Sequence, residues 1–291
     1  QRVTLTVELA SGPPFRFGEI RVTGTRRYAD AVVENLSPFR AGDDYDRDQL
    51  LLYQRRLLES GYVVSVQADV EPEEARPEAA LVRVAVIEAP KHHVEAGIGY
   101  STDAGPRLEF RYSNQDVFDA AWRLRNALRL DDKIRTLQLE LDSPPRPGGR
   151  WNGFFARARG TDIQNEATTE LAAGVAHNWG AELTPSAIIV SGHVEEQRVA
   201  GDVTDNRNAI YFGHRRTWRK TDDFVAPRSG YLAMLEIGGA PEALATRPFL
   251  RGILSASFFL PVGRNGRSGY YVQQNRGKRA ICVDFDRPEA W

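Results

Sequence analysis

Ile134-Arg-Thr-Leu-Gln-Leu-Glu-Leu-Asp142 decides how this chain is read. Leu137, Leu139 and Leu141 fall on one side of an extended backbone, and Gln138, Glu140 and Asp142 on the other, the two-residue period of a β-strand. Its neighbours do the same. In Arg107–Tyr112, Leu108, Phe110 and Tyr112 oppose Arg107, Glu109 and Arg111. Trp122, Leu124 and Leu128 alternate with Arg123, Arg125 and Arg129, and Leu171, Ala173 and Val175 with Glu170, Ala172 and Gly174. Working outward, strands are expected near Val94–Ser101, Arg107–Asn114, Trp122–Leu130, Ile134–Asp142, Asn152–Gly160, Thr168–His177, Ala187–Glu196, Asn208–Trp218, Tyr231–Gly239 and Leu250–Leu260. Polar or Gly/Pro-rich connections separate them.

A soluble β-sandwich or barrel also alternates, with its apolar face inward. Here one face carries charges of both signs in nearly every strand, at lengths close to the about 9–11 residues that cross a bilayer. A barrel with a wet, charged lumen and an apolar exterior accounts for this, and only a closed sheet satisfies every backbone hydrogen bond inside lipid. Tyr100, Tyr112, Trp122, Trp151, Trp179, Tyr211, Trp218 and Tyr231 fall mostly near expected strand ends, where interfacial aromatic belts lie. The sequence has no long apolar run of the kind that forms a transmembrane helix.

Before Pro90 the pattern differs. Phe15–Val22 reads as a half-buried strand, and Tyr28–Leu36 as a short helix stopped at Ser37-Pro38. Asp46 is an N-cap for a helix to Ser60, with Leu50, Leu51, Leu57 and Leu58 on one face and Gly61 beyond its end. Val63–Val70 and Leu81–Glu88 are strands joined by the polar stretch Glu71–Glu78. The order β-α-α-β-β implies one small sheet covered on one face by two helices. Val3–Leu9 reads as the last strand of a preceding domain, so the chain is expected to start within a longer protein.

Composition narrows the function classes. With 38 basic and 39 acidic residues the net charge is −1, which gives no drive toward nucleic acid. A single cysteine, Cys282, excludes an intramolecular disulfide and a multi-cysteine metal site. There is no Gly-x-Ser-x-Gly elbow, Walker loop or His-Glu-x-x-His pair. His92, His93, His177, His193 and His214 lack metal-ligand spacing and read as lumen-facing or strand-end residues. No catalytic residue, metal or cofactor is expected.

Gly12-Pro-Pro-Phe-Arg-Phe-Gly-Glu-Ile-Arg-Val-Thr-Gly24, Pro38-Phe-Arg-Ala-Gly-Asp-Asp-Tyr-Asp46 and Leu57-Leu-Glu-Ser-Gly-Tyr-Val-Val-Ser-Val66 carry a resemblance. Together they resemble the TamA family, outer-membrane subunits of the translocation and assembly module, within the superfamily that includes BamA-type insertases and two-partner secretion transporters. Gly97-Ile-Gly-Tyr-Ser-Thr-Asp-Ala-Gly-Pro-Arg107 resembles the first barrel strand and its hairpin. Asp223-Phe-Val-Ala-Pro-Arg-Ser-Gly230 resembles a turn motif before a mid-barrel strand, carried by Asp223, Pro227, Arg228 and Gly230. The implied fold is mostly β: a polypeptide-transport-associated (POTRA) domain followed by a partial antiparallel transmembrane β-barrel. Residues 1–11 would end a preceding POTRA domain, 12–89 form the membrane-proximal one, 90–263 supply about ten barrel strands, and 264–291 make an atypical tail. One departure stands out. The superfamily's Arg-Gly-Phe/Tyr motif has no match, and Arg251-Gly252-Ile253 lies inside an expected strand.

The resemblance implies an assembly or translocation factor of the bacterial outer membrane with its POTRA domain in the periplasm. It would meet outer-membrane lipid, a TamB-like inner-membrane-anchored partner and autotransporter-like clients, and would bind no nucleic acid. A two-partner secretion pore, a BamA-type insertase and the POTRA-barrel end of a patatin-like lipase remain alternatives. Within Val94, Ala96, Gly97, Ile98, Gly99 and Tyr100, the two glycines weaken the first barrel strand. They would make a seam that pairs with client strands, or else make room for a neighbouring aromatic. Ser65, Val66, Ala68 and Val70 are expected on a sheet edge open to a partner strand. Arg215, Arg216, Trp218, Arg219 and Lys220, in the basic run from His214, are expected at a periplasmic turn, as an inner-rim lipid contact or as a solvated turn.

Overall fold

The computed structural model describes residues 14–71, 79–180, 183–222 and 227–260, together with the backbone of Arg279–Val283. The chain divides into two compact units, Gln1–Ala89 and Pro90–Trp291.

The first unit runs β1 (Phe17–Thr23), α1 (Asp30–Glu34), α2 (Arg47–Glu59), β2 (Val63–Glu71) and β3 (Ala80–Glu88), the expected β-α-α-β-β order. Its sheet has the order β1-β3-β2, with β1 parallel and β2 antiparallel to the central β3. Asp46 caps α2 by accepting the Asp48 N–H at 2.8 Å, and Gly61 follows the helix with φ +77°. The helices cover one face of the sheet because their apolar stripes need a dry partner. Phe17, Val33, Tyr53, Leu57, Val82 and Val84 are fully buried between them. Phe17 stacks on Phe39 at 3.8 Å, and the Tyr53 hydroxyl donates to the Val33 carbonyl at 3.0 Å.

The first helix begins later than the sequence suggests, and Glu88 is the reason. Its carboxylate accepts the backbone N–H groups of Arg26, Arg27 and Tyr28 at 2.8, 2.9 and 3.2 Å, and Ala29 stays extended. Those donors are held by the end of β3, not by a helical turn. Arg27 Nε adds an ion pair at 3.2 Å. Burial pushes the Glu88 carboxyl up, but the three N–H groups and the guanidinium outweigh it and hold the carboxyl below the usual carboxylate range.

The second unit is one antiparallel meander: β4 (His92–Ser101), β5 (Gly105–Val117), β6 (Trp122–Leu130), β7 (Ile134–Asp142), β8 (Trp151–Ile163), β9 (Glu166–Trp179), β10 (Ser186–Val199), β11 (Asp202–Thr221), β12 (Gly230–Ala240), β13 (Phe249–Phe259) and β14 (Arg279–Val283). Among the described residues they form an 11-stranded sheet in chain order, with β4 at one end and β14 at the other. All ten strands expected between 94 and 260 are present. β11 is longer than expected, at 20 residues, because its polar start, Asp202–Arg207, pairs with the equally polar end of β10 without showing apolar alternation.

Register fixes which side chains share a face. One row across eight strands reads Ala96, Phe110, Leu128, Leu137, Ala158, Leu171, Val194 and Asn208. The row one residue along, on the opposite face, reads Gly97, Glu109, Arg129, Thr136, Arg159, Glu170, Glu195 and Arg207. The first face is a continuous exposed apolar band, with Asn126 a polar exception among its leucines. The second is charged.

Two aromatics depart from the expected belt. Tyr211 and Trp151 lie on the polar face, in register with Ser191 and Asn178. The other six lie on the apolar face. Among the described residues no helix is long and apolar enough to cross a membrane, which says nothing of a β-barrel. The expected tail, 264–291, contributes β14, paired with β13 from Leu250↔Val283 to Leu254↔Arg279. Its other residues, and the strand read at Val3–Leu9, lie outside the described residues.

Candidate functional site

The first candidate is β4. It is hydrogen-bonded to β5 from His92↔Asn114 to Ser101↔Gly105, and no strand covers its other edge among the described residues. An uncovered edge carries a row of unpaired N–H and C=O groups able to template an incoming strand. Val94, Ala96, Ile98 and Tyr100 point to the apolar side, with Ile98 92% exposed. Gly97 and Gly99 point to the polar side, where a Cβ at either would meet nothing within 4 Å. These glycines therefore do not make room for an aromatic. Elsewhere glycines do: a Cβ at Gly213 or Gly238 would come within 2.6 or 2.4 Å of the Tyr211 side chain.

His93 and Glu95, also on the polar side, continue into Arg111 (His93–Glu95 2.9 Å, Glu95–Arg111 3.2 Å). On the apolar side His92 stacks on Tyr112, its Nδ1 2.8 Å from the hydroxyl. The start of the strand is thus pinned, while its glycine half has no side-chain anchor on the polar side. Open backbone, little side-chain packing and a terminal position are what strand exchange requires.

The second candidate, Ser65, Val66, Ala68 and Val70, lies on β2, an edge of the three-stranded sheet. Ala68 is buried beneath α2, and its carbonyl accepts from Gln54 Nε2 at 2.9 Å, so α2 already engages one acceptor of the strand.

The basic run corrects an expectation. It is strand, not turn: β11 continues to Thr221, so alternate residues face opposite sides. Arg215 and Arg219 share the side of Glu236 and Leu232, and Arg216, Trp218 and Lys220 share the side of Leu235, Ala233 and Tyr231. Arg215 pairs with Glu236 at 2.7 Å, on the face opposite Arg216 and Lys220. In the turn motif, Gly230 has φ +116°, and a Cβ there would lie 1.9 Å from the Lys220 carbonyl oxygen, so only glycine fits. Asp223 lies outside the described residues. The neighbouring Asp222, missed from sequence, accepts the N–H groups of Arg228 and Ser229 at 2.8 and 2.9 Å.

Sequence reasoning also missed the buried ionic centres of the polar face. Asp142 pairs with Arg123 at 3.2 Å and Arg125 at 2.8 Å. Glu236 accepts from Tyr211 at 2.9 Å beside its pair with Arg215. Ile189, Phe155 and Phe249 pack around Tyr211. The available signal was Gly213, two residues after Tyr211, marking space for a ring on that face. No group of three or more His, Cys, Asp or Glu side chains converges to hold a metal among the described residues.

These features define a class: a POTRA-type α+β unit followed by a large antiparallel sheet, apolar on one face and ionic on the other, whose first strand has one edge uncovered among the described residues. Residues 15–87 match the POTRA family, described as surface antigen variable number repeat. The chain is similar to BamA from Haemophilus ducreyi lacking POTRA domains 1-3, with a TM-score of 0.61 at 11% identity over 87% of this chain and 53% of that one. It is also similar to CdiB from Acinetobacter baumannii, with a TM-score of 0.53 at 11% identity over 83% of this chain and 48% of that one. The chain thus spans about half the length of the solved structures it matches. At this identity the likeness is one of fold: a POTRA domain and a sheet resembling part of a BamA barrel.

Proposed function

We propose that the chain is an outer-membrane assembly or translocation factor that helps insert or secrete autotransporter-like β-rich proteins, without bond chemistry or nucleotide. In this reading the apolar face of the second unit meets lipid and the ionic face lines a watery interior. The POTRA domain stands in the periplasm, where the β2 edge receives a TamB-like partner. Clients pair with β4, whose edge is uncovered among the described residues and whose Gly97 and Gly99 leave its polar side without side chains between Glu95 and Ser101. The observation that carries the reading is the coincidence of two features: a sheet with one exposed apolar face, and a Gly97–Gly99 strand at its end that is uncovered among the described residues.

A photocrosslinking residue at Ile98, in cells making an autotransporter, tests it. The expected outcome is an adduct with the client from Ile98 and none from Leu171, in mid-sheet. Adducts from the polar face at Gln138, with none from any β4 position, would overturn the seam and make the chain a secretion pore.

A further inference from the structure

β11 divides its basic residues between two environments, and only one of them supplies counter-ions. Inward, Arg215 has Glu236 at 2.7 Å. Outward, Arg216 and Lys220 form no ion pair among the described residues; Arg216 lies over the Trp218 ring, its guanidinium carbon 5.6 Å from the centroid. Trp179 ends β9 and pairs with Ser186, which in turn pairs with Arg216, so Trp179 and Arg216 occupy one row of the outward face. The Trp179 ring lies 6.0 Å from that of His214, on the same face. Around them the outward side chains are apolar and open: Ile188, Ile237, Leu254 and Phe258 are all at least half exposed.

The patch sits at a defined end of the sheet. Counting hairpins from His92 through an antiparallel meander returns the β9–β10 and β11–β12 connections to the end where β4 begins, directly after Pro90.

We infer that Arg216 and Lys220, framed by Trp179 and Trp218, bind the phosphate headgroups of anionic lipid in the leaflet at that end of the sheet. The inference rests on the proposed membrane setting of the outward face. Two cations beside an oil-facing surface need an anion, and the described residues supply none there. Long basic side chains reach from apolar surroundings to the headgroup level, where tryptophan also settles. A protein or nucleic acid would have to displace lipid from the surrounding leucines and isoleucines; a phosphate belonging to that lipid displaces nothing. The inward half of the same run, Arg215 and Arg219, takes no part.

The test reconstitutes the full chain in bilayers of phosphatidylcholine and phosphatidylglycerol and counts retained lipids by native mass spectrometry. A basic residue near an anionic surface gives a roughly fivefold preference. The exposed double variant Arg216→Gln/Lys220→Gln should therefore lose at least about fivefold of its phosphatidylglycerol enrichment, while Arg215→Gln keeps it. Equal enrichment in the double variant and the parent overturns the inference, as does loss only in Arg215→Gln. Brominated lipid tails separate the two levels. Tryptophan quenching with unchanged enrichment overturns the headgroup site alone; absence of quenching overturns the membrane setting and the site with it.

Discussion

The two units of this chain bury opposite things. In the first, Phe17, Tyr53 and Leu57 are 0%, 0% and 1% exposed, and charge lies outside. In the second, Leu171, Leu254 and Phe258 are 51%, 54% and 60% exposed, while Asp142 and Glu236 are 3% and 6% exposed. Both arrangements obey one rule, that apolar surface leaves water. What differs is where the dry phase lies: inside the first unit, and, under the proposed function, outside the second. The buried carboxylates Asp142 and Glu236 are tolerable because each has a guanidinium partner, Arg125 and Arg215.

The strongest way to break the comparison is to empty the dry core. Tyr53→Ala removes a fully buried ring and its bond to the Val33 carbonyl, a change expected to cost about 3–5 kcal/mol. That approaches the whole stability of a domain this small. Hydrogen exchange in the intact chain should show β1, β2 and β3 losing protection while β5–β10 keep theirs. Protection retained in β1–β3 would mean that the core does not hold the first unit together.

The next test inverts the second unit. Leu137→Arg, in the outward row between Leu128 and Ala158, should cost about 2–4 kcal/mol of folding into a bilayer. Gln138→Leu, one residue along, should cost far less. On a water-facing surface the ranking vanishes, since exposed substitutions stay within about 0.5 kcal/mol. Urea titration of the reconstituted chain reads the difference. Equal midpoints for Leu137→Arg and the parent would remove the oil from the outward face.

Much of this was legible in the sequence because both units rest on periodicity. The alternation of Ile134–Asp142 gave the strands and their two faces, and Asp46 and Gly61 gave the limits of α2. Illegible were the interactions that depend on register between distant strands. Glu88 reaching back to Arg26–Tyr28 spans about sixty residues and leaves no local trace. Tyr211 was assigned to the belt because an aromatic near a strand end fits either face. Only its register with Ser191, and the space beside Gly213 and Gly238, turn it inward. The basic run was read as a unit because charge density is a local property, whereas the face each residue takes is set by strand pairing.

Glu88 provides the finest test, since it asks how each unit holds an anion. In the second unit the buried Asp142 and Glu236 are met by arginines. In the first, Glu88 is met mainly by three backbone N–H groups, with Arg27 beside them. Because its carboxyl titrates below the usual range when folded, the unfolded chain binds a proton more readily than the folded one. The stabilisation is therefore present above the unfolded carboxylate range, around pH 4.3, and is lost as pH falls through the lower folded value. Glu88→Gln keeps the shape but removes the charge from hydrogen bonds expected to contribute about 1.5–3 kcal/mol. Following β1 and β3 protection between pH 7 and pH 3, the parent should lose stability toward the acid end. The variant should start lower and decline less. Parallel pH profiles for the two would mean that the N–H groups of Arg26–Tyr28 do not discriminate the ionised carboxylate, and the junction between β3 and α1 would then rest on packing alone.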